Sequence, residues 1–404
     1  MKKNRVRQIL TVSCLIIFMF LVSSIAKTRE IRHQFDFGYG YISQDLSYTH
    51  LYSRLTPVNI DGITAMSKPV DYDKQEGFCV SYTYYLRPLI SEKRVPLTLY
   101  KFYEHPSEIN LSLKSEKSSI NWYFEDYTSY NYWRREFQNQ KLDSQKIDLT
   151  YYFLKNTGIE LGFLYNKLNY FGKWEDDEGV WHGGKWNSDG NERYYTVGIN
   201  QFISENLKIS IFHTRLNRDW NYLLSERTIE VPPKWANYTA DGKSIGYSNR
   251  LDAYYLFKDK WGLELAFDFL QENIKSDGSV NASWGGPKVH PDGTYDEEKK
   301  GQRGKLGVDF FVSRNFTLSL GYSVEHLNLG REYLSGKEMR SCKDVQTWNF
   351  NSCYYLNENL GLDLNYIYSY PERDDKWVYP DGTNSERKSK GSQYSLILGF
   401  WVRN

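Results

Sequence analysis

The chain has seven histidines, the side chains best suited to proton transfer near neutral pH, but none of them has a repeated partner. Hydrolysis needs a nucleophile or an activated water with a histidine and a carboxylate in reach. His213 and His326 lie near the ends of predicted strands, where a catalytic pair would have to form between separate segments. A histidine at such a position is more often polar surface, so we predict that the protein is not an enzyme. The seven are His33, His50, His105, His182, His213, His290 and His326.

The cysteines indicate neither a metal centre nor a disulfide framework. Cys14 falls in an N-terminal apolar segment, which leaves Cys79, Cys342 and Cys353. These three are odd in number and have no paired spacing, and the chain lacks a Cys-x-x-Cys-His haem attachment motif. We therefore predict that the protein holds no metal and no cofactor.

The N-terminus has the layout of a secretory signal peptide. Four basic residues within the first seven precede an uncharged run over residues 9–22, which ends in Ser23-Ser24-Ile25-Ala26. We place the signal peptide at residues 1–26 and a single mature domain at 27–404, so the protein leaves the cytoplasm.

Composition excludes several classes of protein. The 51 basic and 50 acidic residues nearly cancel, which argues against a nucleic-acid partner. Aromatic residues make up 17% of the chain, and disordered chains are poor in them. A mean hydropathy of −0.65 excludes a bundle of membrane-spanning helices, because each span needs about 20 apolar residues.

An aromatic-rich hairpin recurs five times along the chain. After each turn, apolar and polar residues alternate strictly, as in Trp261, Leu263 and Leu265 against Gly262 and Glu264. Period-two alternation places successive side chains on opposite faces of a strand. One face of each strand is therefore apolar and the other polar. The five turns contain Asn156, Glu205, Asp259, Arg314 and Glu358, which are 49, 54, 55 and 44 residues apart.

The two ends of these hairpins differ. Turns at one end are short, whereas the connections at the other end cover about 171–191, 219–246, 275–303, 330–344 and 371–391. Short turns, long loops and alternating strands of about ten residues are typical of a transmembrane β-barrel. The barrel must close, because each unpaired backbone group in hydrocarbon costs several kcal/mol. We predict an all-β, antiparallel up-and-down barrel with short periplasmic turns and long extracellular β-ribbon loops.

Alternating segments predict the number of strands. Fourteen are found between residues 77 and 402, including separate segments over 108–116 and 119–130. Residues 34–55 supply one or two more. Because single-chain bacterial barrels have an even number of strands, we predict 16, with 14 as the alternative.

Four of the long connections carry a tryptophan followed by Asp-Gly. Asp-Gly favours two-residue turns that need positive φ, so we place these pairs at the extracellular loop tips. Such ribbons either only shield the barrel mouth or bind sugars, with Trp174, Trp181, Trp186 and Trp235 stacking on pyranose rings; both alternatives stay open. The predicted tip residues are Asp189, Gly190, Asp241, Gly242, Asp292, Gly293, Asp381 and Gly382.

A barrel of 16 to 18 strands encloses an aqueous channel, so the inward-facing side chains determine what passes. Seven acids and three bases among the predicted pore-lining residues favour cations or neutral solutes weakly. Alternatively, these groups pair across strands and only keep the wall hydrated. They are Asp148, Glu160, Lys208, Arg250, Asp252, Glu264, Asp268, Lys305, Asp309 and Asp363, with Asn349, Asn351 and Asn365 beside them.

One connection differs from the others because it is apolar. It contains Pro88, Pro96 and Pro106, and a helix of two to three turns after Pro96 is expected. We predict that this segment folds against the inner wall and constricts the channel; the alternative is a helix at the periplasmic rim that plugs nothing. The predicted constriction residues are Leu97, Leu99, Tyr100, Phe102 and Tyr103.

The mature chain resembles the outer-membrane porins of Gram-negative bacteria. The resemblance includes Tyr85-Leu86-Arg87-Pro88, Phe102 and His105-Pro106-Ser107. The last strand, residues 394–402, is similar to the terminal signal that the barrel-insertion machinery recognises, although Arg403-Asn404 follow where the family ends on an aromatic residue. The resemblance implies a water-filled channel in the bacterial outer membrane for passive diffusion of small hydrophilic solutes or ions.

A barrel of this length also suits a second role, as a sheath or scaffold around a partner such as a multihaem cytochrome or an export component. Surface adhesion is a third alternative. The partners that a porin implies are outer-membrane lipid and small solutes, and both a homotrimer and a periplasmic or cytochrome partner remain open.

Overall fold

The computed structural model describes residues 30–53, 63–90, 99–126, 132–176, 181–228, 235–282, 285–289, 293–357 and 359–403. The predicted signal peptide lies outside these ranges. Within them, no helix is long and apolar enough to cross a membrane.

Strands make up nearly all of the described chain, and one helical turn, α1 (Tyr100–Glu104), precedes the third strand. The strands are β1 (Glu30–Ser53), β2 (Ile63–Ile90), β3 (Glu108–Asp126), β4 (Tyr132–Leu154), β5 (Thr157–Asp176), β6 (Trp181–Ser204), β7 (Leu207–Thr228), β8 (Trp235–Phe257), β9 (Trp261–Ala282), β10 (Gly285–Val289), β11 (Tyr295–Ser313), β12 (Phe316–Tyr333), β13 (Glu338–Asn357), β14 (Leu360–Val378) and β15 (Asn384–Arg403).

The sheet closes on itself. Each strand of the wall pairs antiparallel with its neighbours in sequence, and β15 returns to β1 with a continuous register from Gln34↔Arg403 to Ser53↔Asn384. The short strand β10 lies outside the wall and pairs only with the end of β9, which itself continues to β11. The predicted antiparallel barrel is therefore confirmed, with 14 strands in its wall.

The wall has 14 strands, so the preferred prediction of 16 was wrong and the alternative was right. Residues 108–116 and 119–130 were predicted as separate strands, but β3 runs through Ser118 and Ser119, which pair with Gln140 and Asn139 of β4. The error has a physical cause. A strand crosses the bilayer in about 9–11 residues, and beyond the hydrocarbon it tolerates polar residues without turning.

Large apolar side chains point outward. Leu265 is 49% exposed, Phe267 is 52% exposed and Ile211 is 60% exposed, although all three lie in the middle of strands. Around the barrel, such residues form a continuous apolar belt, a pattern that water would oppose and lipid favours. Aromatic pairs such as Tyr322 and Trp348, with ring centroids 4.5 Å apart, lie on the same outer face.

The Asp-Gly pairs do not all lie at tips. Asp189-Gly190 and Asp241-Gly242 lie within β6 and β8, so that prediction was wrong for both. Gly190 and Gly242 both face Trp220 of β7 in the register. A Cβ atom on Gly242 would stand 2.0 Å from the Trp220 indole, so glycine provides room for the ring and makes no turn.

The other two Asp-Gly pairs are at connections. Gly293 is in a turn that leads into β11, and Asp292 lies outside the described residues. Asp381 and Gly382 are in the turn between β14 and β15, where Gly382 has a φ of +80°. A positive φ is the conformation for which glycine suits such a turn.

Replacing Gly242 by valine should destabilise the barrel by about 1–3 kcal/mol, because the new side chain and the Trp220 indole claim the same space. Equilibrium unfolding of the refolded protein in urea and detergent micelles measures the change. Gly330→Val is the matched control, since no atom lies within 4 Å of a Cβ at that position. The Trp220→Ala background should reduce the cost of Gly242→Val, and an undiminished cost there would contradict this explanation.

Candidate functional site

All ten ionisable residues predicted to line the pore lie on the inner face of the wall. Asp148, for example, follows Ile147, and Asp363 follows Leu362, both of which are exposed on the outer face. The same alternation holds on β5, β7, β8, β9 and β11, where the remaining eight are found. In a closed barrel, the face opposite the apolar belt is the lumen.

Three of the seven acids on this wall form ion pairs. Lys305 of β11 donates to both carboxylate oxygens of Glu264 on β9, at 2.8 and 2.7 Å. The other two pairs join residues two apart on one strand, Arg250 with Asp252 at 2.7 Å and Lys146 with Asp148 at 2.6 Å. Pairing along and across strands, the alternative given above, therefore applies to part of the wall.

Neutral donors meet three of the other acids. The Tyr254 hydroxyl donates to Asp309 at 2.9 Å, Ser248 donates to Asp268, and Asn200 donates to Glu160 at 3.3 Å. A hydrogen bond from a neutral donor stabilises a carboxylate without cancelling its charge. The lumen at this depth therefore carries more negative than positive charge.

Charged side chains also pair deeper inside the part of the wall that extends toward the long-connection end. Arg218 bridges Glu192 at 2.7 Å and Glu272 at 3.4 Å, and Lys299 lies 3.6 Å from Glu272. Ser244 donates to Glu272 as well, at 2.6 Å, and the Glu272 side chain is almost fully buried. Burying such a charge is tolerated only with partners of this kind, so the network fixes the upper inner wall.

Sequence analysis missed this network. Glu192, Arg218 and Glu272 lie at or just beyond the ends of the predicted ten-residue strands, and Lys299 falls in a predicted loop. The signal was present in the alternation, because these residues keep the inward parity of their strands past the predicted ends.

The segment α1 lies against the inner wall at the short-turn end. The Phe102 ring contacts Phe202 of β6 and Tyr254 of β8, with centroids 5.2 and 5.4 Å apart. Tyr103 donates a hydrogen bond to Asp259 in the turn between β8 and β9. Leu99, just before the helix, is buried. The segment therefore occupies part of the cross-section of the lumen.

The helix is shorter than predicted, one turn instead of two to three. His105 follows it with a φ of +44°, a left-handed conformation that ends the helix. Leu97 lies outside the described residues, as does the side chain of Tyr100.

His105 anchors the far side of this segment. Its ring stacks on Phe202 with centroids 3.6 Å apart, and its Nδ1 lies 2.8 Å from the carbonyl oxygen of Lys155 in the next short turn. Burial lowers the pKa of His105, so the ring is neutral at pH 7 and Nδ1–H donates to that carbonyl. Ser107 continues the attachment, because its hydroxyl oxygen accepts from the Tyr152 amide at 2.9 Å.

A cavity of about 390 Å³ lies between α1 and the wall. Aromatic rings and charged side chains share its lining, and four of the predicted pore-lining residues converge here. The rings are Phe102, Tyr152, Phe202, Phe212 and Tyr254, and the polar residues are Lys208, Ser210, Asp252, Glu264 and Asp309.

The tryptophans considered for sugar binding are dispersed. Trp174 is buried on the inner face, and its indole covers Gly184 of β6. Trp186 covers Gly172 of β5 in the same way. Trp235 is exposed on the outer face of β8, and the side chain of Trp181 lies outside the described residues. The structure does not bring these rings together.

These features define the class of protein. A closed antiparallel barrel with an outward apolar belt, an ionisable inner face and tight turns at one end is the architecture of outer-membrane barrels. The chain is therefore a β-barrel of the bacterial outer membrane, with the general architecture of a channel.

Solved structures share this fold. The toluene transporter TodX of Pseudomonas putida matches with a TM-score of 0.54 and 11% identity, over 92% of this chain and 90% of that one. A TodX variant described as a monoaromatic hydrocarbon channel gives 0.53 and 11%, over 93% and 91%. A FadL homologue of Pseudomonas aeruginosa gives 0.49 and 9%, over 92% and 90%. No protein-family model and no curated protein sequence matches the chain.

Replacing Tyr103 by phenylalanine should loosen α1, because it removes the hydrogen bond to Asp259. The loss of about 1 kcal/mol corresponds to roughly fivefold faster tryptic cleavage after Lys101 in the folded protein. Time-resolved proteolysis in detergent micelles measures this rate. Tyr354→Phe, on the outer face, is the control and should leave the rate unchanged. Equal cleavage of both variants and the parent would show that this contact does not hold α1.

Proposed function

We propose that the protein is a porin, through which small hydrophilic solutes or ions diffuse passively across the outer membrane. The observation that supports this most is the ionisable inner face at the depth of the apolar belt, where Asp148, Asp252 and Asp363 each adjoin an exposed apolar residue. Charged groups at this depth favour water and dissolved solutes in the lumen over an apolar filling.

The segment α1 is the proposed constriction. Phe102 and Leu99 project from it into the cavity that Asp309 and Glu264 line from the wall. Solutes that cross the lumen at the short-turn end would pass this cavity. Its size and charge would then set the upper limit on solute size and the preference between ions.

The charge of the wall favours cations. Among the predicted lining residues, acids outnumber bases, and only part of that excess is balanced by the ion pairs of Glu264, Asp252 and Asp148. Glu160 and Asp309 keep neutral partners and should contribute most to cation preference.

A second candidate function is the passage of small aromatic molecules. Five aromatic rings line the cavity beneath α1, an environment that suits a flat apolar solute. TodX is described as a toluene transporter and its variant as a monoaromatic hydrocarbon channel. The five charged or hydroxyl-bearing neighbours of those rings favour hydrophilic solutes, so we rank this function second.

The sheath role is a further alternative. A partner that crosses the barrel would need the space at the inner wall that Phe102 and Leu99 take, so α1 would have to leave its contacts with Phe202 and Tyr254. We therefore rank the sheath below both channel functions.

The refolded mature chain should give discrete unitary currents in planar bilayers. Phe102→Ala should raise the unitary conductance on the order of 1.5-fold, because a smaller side chain widens the proposed constriction. Phe350→Ala, whose ring lies on the outer face, is the control and should conduct like the parent.

Absence of currents from correctly folded protein would reject the porin. Faster entry of toluene into vesicles without swelling by pentose-sized solutes would then favour the aromatic function, and neither activity would favour the sheath.

The double variant Glu160→Gln, Asp309→Asn should lower the cation preference, since it removes two lumenal charges and keeps the shape of the side chains. Reversal potentials across a KCl gradient measure it, and we expect a shift of about twofold in the permeability ratio. Glu298→Gln, on the outer face near Lys300, is the matched control. An unchanged ratio in the double variant would show that these carboxylates do not face the ion path.

A further inference from the structure

We propose that His326, Cys342 and Asp344 form a binding site for a Zn²⁺-like metal ion on the outer face of the barrel. The three side chains offer one imidazole nitrogen, one sulfur and one carboxylate oxygen within 4.8 Å of one another. The site is separate from the lumen, so it does not depend on the proposed channel function.

Strand pairing brings the three residues together. His326 of β12 lies directly opposite Asp344 of β13 in the antiparallel register. Cys342 precedes Asp344 by two residues and therefore projects from the same face of β13. Two neighbouring strands thus hold all three groups, and a strand provides a more rigid support than a loop.

The distances suit a small ion. Sγ of Cys342 lies 3.9 Å from Nδ1 of His326 and 3.9 Å from Oδ2 of Asp344, and Nδ1 lies 2.7 Å from Oδ1 of Asp344. Tetrahedral zinc keeps its ligand atoms about 3.3–3.7 Å apart. Small side-chain rotations that part His326 from Asp344 and draw Cys342 inward would complete that geometry.

The donor set determines the class of metal. Thiolate and imidazole ligands select Zn²⁺ and other late transition metals, whereas Ca²⁺ and Mg²⁺ take oxygen ligands. Three protein ligands also leave a coordination position for water or a fourth group. Asp374 of β14 lies directly opposite Cys342 and is the nearest candidate for that position, although Lys388 lies 3.9 Å from its carboxylate.

An outer support of the kind that metal sites use is also present. Nε2 of His326 lies 2.9 Å from the side-chain nitrogen of Asn328, two residues further along the same face. When a metal takes Nδ1, Nε2 carries the proton, and the Asn328 amide meets it with its oxygen after a half-turn. Asn328 therefore holds the ring in the plane that points Nδ1 toward Asp344.

The site is accessible to ions in solution. The side chains of His326 and Asp344 are 46% and 52% exposed. Val324, the last exposed apolar residue on β12 before His326, marks the edge of the lipid-facing belt. The site thus lies beyond the belt on the long-connection side, which faces the exterior in outer-membrane barrels.

Cobalt is a direct probe of this site, because Co²⁺ bound to a thiolate absorbs in the near ultraviolet. Titrating the refolded full chain in detergent with Co²⁺ under a phosphine reductant should give this band at one ion per chain, and Zn²⁺ should displace it. Cys342→Ser should abolish the band, and His326→Gln and Asp344→Asn should each weaken binding about tenfold or more.

The other two cysteines of the described chain provide matched controls. Cys79→Ser and Cys353→Ser should keep the band, since both residues lie on the inner face. Heat-modifiable gel migration checks that every variant folds, and the conductance of Cys342→Ser should equal that of the parent. A band that survives in Cys342→Ser, or Co²⁺ binding that none of the three site variants weakens, would overturn the proposal, as would no binding to the folded parent.

Discussion

The need to pair every backbone N–H and C=O group in hydrocarbon governs this structure. A sheet satisfies it only by closing, and here the closure is the seam between β1 and β15. Side chains reinforce the seam at the short-turn end. Arg403 donates to Gln34 at 2.9 Å and covers the Trp401 ring at 4.3 Å, while Tyr85 donates to the same Gln34 oxygen at 2.8 Å. Closure then divides all side chains into those that meet lipid and those that meet the lumen.

What the sequence revealed was the part that depends on local alternation. Period two alone placed residues such as Glu160, Asp268 and Lys305 on the inner face, and the barrel class followed from it. Element boundaries were less accessible. The polar run around Ser118 was taken for a turn because hydropathy cannot distinguish a loop from a strand that continues into water. Asp-Gly was taken for a turn although, at Gly242, it makes room for an indole.

The rest depends on register, which no local pattern contains. Lys305 and Glu264 are 41 residues apart, and only the pairing of β9 with β11 joins them. His326 and Asp344 were separate polar residues in the sequence and became neighbours only through the β12–β13 ladder. The position of α1 was predicted in outline, but its contacts with Phe202 and Asp259 require the barrel to exist first.

The seam also has a consequence for biogenesis. Because β1 and β15 are the first and last strands of the wall, their edges stay open until the end of the chain has been synthesised and delivered. An unfinished barrel would expose two rows of backbone groups that bind any available strand, including those of other nascent chains. The cell must therefore shelter the half-made wall until Arg403 reaches Gln34, which makes the last residues the trigger for release from that shelter.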